Sequence, residues 1–369
     1  MLARVLEGRR VAVVHEWFGA TGGSEKVFLK IADLVPHADR FALWKDDDAT
    51  YSGPALRQSW LARTPLRHNK ALALPLMPVA WRTLLRKSAY DVVLSSSHAF
   101  AHTVRAGGPG DTRYLSYIHS PARYLWSPDF DARGSSKLLA LPRKVLQQAD
   151  VRLSGHVHSY AANSQEVRRR ILKFWERDAW VINPPVDIDY YSDAPPQDRV
   201  QNRDYLLGVG RWIPYKNFDF IIEVANRARM PLVIAGSGPE EANLRKLAMR
   251  STTPVVFEAS PSDERLRRLY WGARALLFPV HEDFGMIPVE AQACRTPVIG
   301  LRRGGLCETV VDGATGFLLD GMDPAHYAEA VRRVGELDAA FTQANVKHFS
   351  PESFVSRVAQ WIGQEVGTR

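Results

Sequence analysis

Cysteine is nearly absent. Cys294 and Cys307 are the two in 369 residues, and a chain stabilised by bridges in an oxidising compartment would normally carry more. Long apolar runs are missing too. No stretch approaches the ~18 residues that span a bilayer, and Met1–Arg10 has no apolar core of the signal-peptide kind. Together these absences predict a cytoplasmic protein. Low-complexity tracts and obvious internal repeats are also lacking. With 46% hydrophobic and 24% charged residues, the composition is that of a globular chain, and the length suits two domains.

Acidic residues are missing from one region in particular. Residues 49–90 contain Arg57, Arg63, Arg67, Lys70, Arg82, Arg86 and Lys87 and no Asp or Glu. Residues 1–190 hold 27 Lys and Arg against 18 Asp and Glu, and the rest of the chain holds 21 against 22, so the excess of +8 sits in the first half. Such a surface attracts anionic lipid, nucleic acid or a phosphorylated acceptor. No aromatic platform is interleaved with the basic residues, which disfavours nucleic acid. A helical pattern over Pro78–Lys87 puts Trp81, Leu84 and Leu85 on one side and Arg82 and Arg86 on the other. One reading is a core-facing helix. The sharper one is a patch on the inner face of the membrane, formed by Arg63, Arg67, Lys70, Trp81, Arg82, Arg86 and Lys87.

What is present is a repeated alternation of strand and helix patterns. Arg10–His15 reads as a buried strand, followed by Gly22-Gly23 and a helical pattern of Val27, Phe28, Ile31 and Leu34. Strand runs recur at Phe41–Trp44, Asp91–Ser95, Arg113–His119, Val157–Asn163 and Trp180–Asn183. A Pro- and Asp-rich stretch over 184–202 reads as a linker. Alternation then resumes at Tyr205–Gly210, Pro231–Gly236, Pro254–Phe257, Ala275–Phe278, Pro297–Gly300 and Gly316–Leu319. The expected fold is α/β, with two doubly wound, Rossmann-like parallel-sheet domains facing a cleft, over 1–190 and 203–350.

The most informative stretch is His281–Glu290. It follows an apolar strand run and opens a helix, so Glu282 falls on a loop and Glu290 within the helix behind first-turn amides. Those amides lack partners and carry the positive end of the helix dipole, which makes them an anion site. Arg211 and Lys216 stand at another strand-to-helix junction, suited to a pyrophosphate. Gly22 and Gly23 could present amides to the same diphosphate, since no Cβ blocks the approach. His119, at a strand end before Arg123 and Tyr124, is the best-placed histidine for substrate.

Other features carry less. Asp46-Asp47-Asp48 could hold a divalent ion, but no His or Glu partner stands nearby in sequence. His98 and His102 have i, i+4 spacing without the Glu of a zinc helix, and His156 and His158 would alternate across a strand. Ser95-Ser96-Ser97 lacks a glycine-flanked nucleophile elbow. Neither a metal nor covalent serine chemistry is expected.

Several elements in fixed order then identify a family. They are Gly210-Arg211 with Lys216, Ala235-Gly236-Ser237-Gly238-Pro239, Glu282 and Glu290 with seven residues between, Gly304-Gly305-Leu306 with Glu308, and Gly313-Ala314-Thr315-Gly316-Phe317-Leu318. This set resembles the retaining glycosyltransferases of the GT-B fold, family four. The double-glycine loop with Ser24-Glu25-Lys26, and the segment Tyr117–Tyr124, look most like its mannosyltransferase-type branch.

The resemblance implies roles for specific residues. Arg211 and Lys216 would bind the donor diphosphate and stabilise the leaving nucleotide, with no metal cofactor. Glu282 would hold the donor sugar, the amides near Gly285, Met286 and Ile287 the phosphate, and Glu290 the ribose diol. His119 would touch the sugar or the reacting centre, with Arg123 and Tyr124 on the acceptor side. The helix over 351–369 would pack back on the first domain. The function implied is transfer of a hexose, mannose from GDP-mannose by branch similarity, to a lipid-linked or membrane-associated glycan. The base-reading segment Glu258–Asp263 does not by itself select guanine. A UDP-sugar donor is therefore an alternative, as is a nucleotide-sugar epimerase, which would convert its donor without an acceptor. A non-catalytic subunit would have no need of all four of Arg211, Lys216, Glu282 and Glu290.

Overall fold

The computed structural model describes residues 2–19, 22–49, 51, 53–108, 110–126, 140–193 and 203–367. The chain divides into two compact units, Met1–Asn183 with Phe354–Arg369, and Pro184–Ser353.

In the first unit β1 (Val11–Phe18), β2 (Asp39–Lys45), β3 (Leu56–Gln58), β4 (Val92–Ser97), β5 (Arg113–Ile118), β6 (Ser159–Ala162) and β7 (Trp180–Val181) form one parallel sheet in the order β3-β2-β1-β4-β5-β6-β7. Every residue of β1 is buried, as expected of a strand covered on both faces. The two-residue period of a strand splits it between two cores. Val11 and Val13 join one with Phe28 and Ile31 of the helix Gly23–Asp33, and Ala12 and Val14 join another with Met77 and Trp81 of the helix Met77–Leu84. Strand order reverses between β1 and β4, where His15 pairs with Ser96. In open α/β sheets ligands bind beyond the carboxyl ends of the strands at such a switch point.

The helix Pro351–Gly367 brings Phe354, Val358, Trp361, Ile362 and Val366 into the first of these cores. Trp361 Nε1 donates to Ser159 Oγ at 2.9 Å. Burying each large apolar side chain contributes roughly 2–3 kcal/mol.

The second unit repeats the plan. The strands β8 (Tyr205–Arg211), β9 (Leu232–Ser237), β10 (Val255–Ala259), β11 (Ala273–Phe278), β12 (Val298–Leu301) and β13 (Gly316–Leu319) run in the order β10-β9-β8-β11-β12-β13. Leu206, Ile234, Leu277 and Ile299 face one core, and Leu207, Ala235, Leu276 and Val298 the other. The switch point lies between β8 and β11.

The segment read as a linker begins inside this unit. Val186 N–H donates to the Phe349 carbonyl at 2.9 Å, and Ile188 and Tyr191 of the short helix Ile188–Ser192 pack with Tyr270, Trp271 and Cys294. These apolar side chains among the Pro and Asp residues account for the difference, while 194–202 lie outside the described residues. Among the described residues no helix is long and apolar enough to cross a membrane.

Candidate functional site

Lys216 and Glu282 come from opposite sides of the β8/β11 switch point. After β8 the chain turns through Pro214–Lys216, a short 3-10 turn that starts at a proline with its φ already set. This turn directs Lys216 inward until it is 8% exposed. Its ammonium lies 5.2 Å from the Phe278 ring centroid and 5.5 Å from that of Tyr215, and it forms an ion pair with Glu282 Oε1. Asn217 then takes a left-handed conformation, and its Nδ2 donates to the Pro279 carbonyl at 2.7 Å. Arg211 ends β8 with its side chain exposed.

The loop carrying Glu282 is fixed by glycines from another part of the chain. Gly305 N–H donates to the Glu282 carbonyl at 2.9 Å, and Gly304 forms a parallel bridge with Glu282. A Cβ at Gly304 would stand 2.2 Å from that carbonyl oxygen, and one at Gly305 would stand 2.3 Å from Phe284 Cα. The double glycine is therefore a requirement of close approach. Phe284 packs edge-on against Phe349, with centroids 5.2 Å apart, and anchors the far end of the loop.

Gly285, at φ 90°, opens the helix Met286–Ala293. Pro288 has no N–H, so Gly285, Met286 and Ile287 supply the amides at this helix start. Glu290 lies a little over one turn into the helix, which begins at Met286. Its Oε2 accepts from the Tyr270 hydroxyl at 2.9 Å. Burial, then the Glu290 charge, pushes the Tyr270 phenol well above its ordinary range, so it stays a donor. In the expected base-reading segment, Glu258 of β10 is ion-paired with Arg265.

In the first unit, His119 follows β5, and its Nε2 lies 2.8 Å from Ser96 Oγ. The same hydroxyl is 3.1 Å from His15 Nδ1. His98 completes a trio, its ring centroid 5.6 Å from His15 and 6.2 Å from His119. Burial lowers His119 to about 3, and burial with the nearby His119 lowers His15 to about 3. His98 is held well below its ordinary value by burial, then by His15, His119, Lys70 and Arg123. The three rings are therefore neutral imidazoles, able to exchange hydrogen bonds with hydroxyls. His15 Nε2 and His98 Nδ1 are buried with no hydrogen-bond partner among the described residues. Arg123 and Tyr124 lie on the short helix Arg123–Trp126 that follows His119.

Behind the trio lies a buried acidic network. Glu16, fully buried, accepts from Ser97 Oγ at 2.9 Å, Ala99 N–H at 2.9 Å, Ala101 N–H at 2.6 Å and Trp81 Nε1 at 3.3 Å. Burial raises its pKa against these hydrogen bonds. Ser97 Oγ is also 3.2 Å from His102 Nδ1, and His102 Nε2 lies 3.0 Å from Asp150 Oδ1. Trp126 and Trp175 donate to Asp150 Oδ2 at 2.8 and 2.9 Å. Sequence reasoning missed His15, Ser96, Glu16 and Asp150 as parts of this arrangement. A charged residue inside the otherwise apolar and aromatic β1 was the available signal, because a buried carboxylate must be partnered.

Two expectations need correction. Trp81 is not part of any surface patch: its ring is fully buried, with its N–H on Glu16. His156 and His158 do not alternate on a strand; both precede β6, and His156 is bonded to the Leu153 and Val104 carbonyls. At the start of the Gly23–Asp33 helix, the Glu25 carboxylate already lies over Gly22, accepting from Gly19 N–H at 3.3 Å and Ser24 Oγ at 2.7 Å, so an anion approaching Gly22 and Gly23 would have to displace it. Of the basic region, Arg67 pairs with Asp47 at 2.9 Å, and Lys70 lies 4.8 Å from the centroid of Trp17. Arg63, Arg82, Arg86 and Lys87 are exposed.

Residues 192–348 match the family model of the glycosyl transferases group 1. The chain is 32% identical over 219 residues to a D-inositol 3-phosphate glycosyltransferase of Frankia alni, covering 52% of this chain and 53% of the relative. It thus spans about half the length of the curated relatives it matches. Among solved structures, Anabaena HepE in complex with UDP and glucose aligns with a TM-score of 0.68 at 17% identity, over 98% of this chain and 100% of that one. Sucrose-phosphate synthase from Thermosynechococcus elongatus aligns with a TM-score of 0.70 at 19% identity, over 96% and 98%. The two parallel-sheet units are of the GT-B fold class, and the similarity to the group 1 glycosyl transferases lies within residues 192–348.

Proposed function

We propose that the chain is a retaining glycosyltransferase that moves a hexose from a nucleotide diphosphate sugar to a glycan acceptor without a metal. The observation that carries this reading is the partly buried Lys216–Glu282 ion pair just before the 286–293 helix start, at the β8/β11 switch point. A fixed cation beside preorganised amides is the arrangement that stabilises a departing diphosphate, where charge develops in the transition state. Glu282, oriented by Lys216, accepts from donor-sugar hydroxyls. Glu290, oriented by Tyr270, is assigned to the ribose diol, and Arg211 to the diphosphate. Gly22 and Gly23 are assigned to donor phosphate once Glu25 moves aside. His119 is assigned to substrate hydroxyls, which a neutral imidazole can bind without adding charge.

In the proposed step, the bond from the anomeric carbon to the phosphate oxygen breaks, and the bond to the acceptor oxygen forms on the same face. The acceptor proton passes to the departing phosphate. Branch resemblance favours GDP-mannose. A UDP-sugar is the second reading, favoured by the Anabaena structure in complex with UDP and glucose. The exposed Arg63, Arg82, Arg86 and Lys87 support a membrane-associated acceptor and peripheral binding at an anionic, cytoplasmic membrane face.

The test is nucleotide release from GDP-mannose, UDP-glucose and UDP-N-acetylglucosamine in the presence of EDTA. Release is expected from the wild-type chain and near-complete loss in Lys216→Ala and Glu282→Ala. Full activity in either variant rejects the site assignment. Conversion of the donor to an epimer, with no nucleotide released, would favour the isomerase.

A further inference from the structure

At the amino ends of the second unit's strands, opposite the ends that carry Lys216 and Glu282, lies a cavity of about 350 Å³. Arg203, two residues before β8, Arg274 at the start of β11, and Arg295 shortly before β12 all line it, with Trp271, Pro297 and Leu337 among its apolar walls. No carboxylate is among the lining residues.

Neutral groups position two of the three guanidiniums. Arg203 donates to the carbonyls of Arg295 at 2.6 Å and Cys294 at 3.5 Å, at the carboxyl end of the Met286–Ala293 helix. Arg295 Nε donates to Gln343 Oε1 at 2.9 Å, and its guanidinium lies 6.0 Å from the Trp271 ring centroid. Helix capping therefore accounts for Arg203, and the Gln343 contact for Arg295. Neither accounts for Arg274, whose Nη2 would lie 3.5 Å from a Cβ placed on Gly335. Among the described residues none of the three forms an ion pair with Asp or Glu.

Like charges around one cavity repel, and a half-buried cation without a counter-ion is costly. Burial, opposed by Cys294 and assisted by the neighbouring Arg295, lowers the Arg203 pKa from its ordinary value. A bound anion would relieve both costs and would find planar forks suited to a tetrahedral oxyanion.

We propose that this cavity binds an oxyanion of the phosphate class through Arg203, Arg274 and Arg295, with room along Trp271, Pro297 and Leu337 for an apolar group attached to it. The site is separate from the donor residues and does not depend on the glycosyltransferase reading.

The test uses the full chain with inorganic phosphate and phenyl phosphate as probes, at ionic strength held constant with chloride. Affinity is read by calorimetry and by the ligand-dependent rise in Tm. Phosphate is expected to bind the wild type and Lys216→Ala alike, which separates this cavity from the donor site, and phenyl phosphate to bind more tightly than phosphate. Arg274→Gln should weaken binding roughly tenfold, the loss of one hydrogen-bonding charge. Gly335→Asp places a carboxylate beside Arg274, and should raise Tm in phosphate-free buffer while abolishing the response to phosphate. Wild-type affinity in folded Arg274→Gln, an unchanged phosphate response in Gly335→Asp, or binding that vanishes in Lys216→Ala would each overturn the proposal.

Discussion

Gly304 and Glu282 are locked together through their backbones: a parallel bridge joins them, and a Cβ at 304 would stand 2.2 Å from the Glu282 carbonyl oxygen. Gly304 also sits at φ 61°, where an L side chain costs roughly 1–2 kcal/mol. The position of the Glu282 carboxylate therefore depends on a residue more than twenty positions away.

Gly304→Ala should lower Tm by several degrees and reduce nucleotide release at least about tenfold, because the loop carrying Glu282 must shift to admit the Cβ. Gly313→Ala is the control. It shares the positive φ, at 74°, but a Cβ there meets nothing within 4 Å. It should show the conformational cost alone and keep its activity. Equal losses in the two variants would mean that the Gly304 contact with the loop has no functional weight.

The histidine trio sets a pH dependence. His15 and His119 are lowered to about 3 and His98 is lowered well below the ordinary value. A histidine whose folded pKa is depressed lends its full stability above the unfolded value near 6.5, and loses it as pH falls toward the folded value. Tm should therefore fall from pH 6.5 to pH 4. Glu16, with a raised pKa, acts with the opposite sign above its own unfolded value. Comparing Tm against pH for the wild type and His119→Gln isolates the histidine contribution. The variant should show the shallower acid slope, and parallel curves would contradict the assignment.

Trp81→Phe removes the N–H on Glu16 while keeping most of the ring, and should cost about 1–3 kcal/mol in urea unfolding, the price of a buried acceptor losing a partner. Binding to anionic vesicles should not change, since the side chain is buried. Replacing Arg82, Arg86 and Lys87 together with Gln should have the converse effect, leaving stability within about 0.5 kcal/mol and weakening flotation with anionic vesicles. Vesicle binding that resists these changes would locate any membrane contact elsewhere.

The donor base can be read without an acceptor. A ligand that binds only the folded chain raises Tm by an amount set by its concentration over Kd. GDP is expected to give the larger rise and UDP the smaller. A larger response to UDP would transfer the donor assignment to the UDP-sugars, and no response to either would remove the nucleotide-binding role given to Glu290.

Strands that were apolar throughout could be read from the sequence because burial on both faces leaves only apolar residues, as in Val11–Val14 and Leu276–Phe278. β3 could not, because Leu56–Gln58 is a short edge strand with two exposed residues. Lys216 and Glu282 were each visible as chemistry-bearing residues, but their pairing depends on β8 and β11 being neighbours, which is a property of strand order and not of local pattern. The same holds for the histidine trio, whose members come from within β1 and from just beyond the ends of β4 and β5. Trp81 was misplaced because a tryptophan on an amphipathic helix looks alike whether its partner is a lipid surface or Glu16 in the interior.

The path of the chain also constrains the order of assembly. The second unit, Pro184–Ser353, is continuous, whereas the core of the first unit includes Phe354, Val358, Trp361, Ile362 and Val366. On a ribosome adding 5–20 residues per second, the first 183 residues wait roughly 10–40 s for those side chains. The later-made unit can therefore finish folding before the earlier one, whose open sheet face must stay soluble in the meantime.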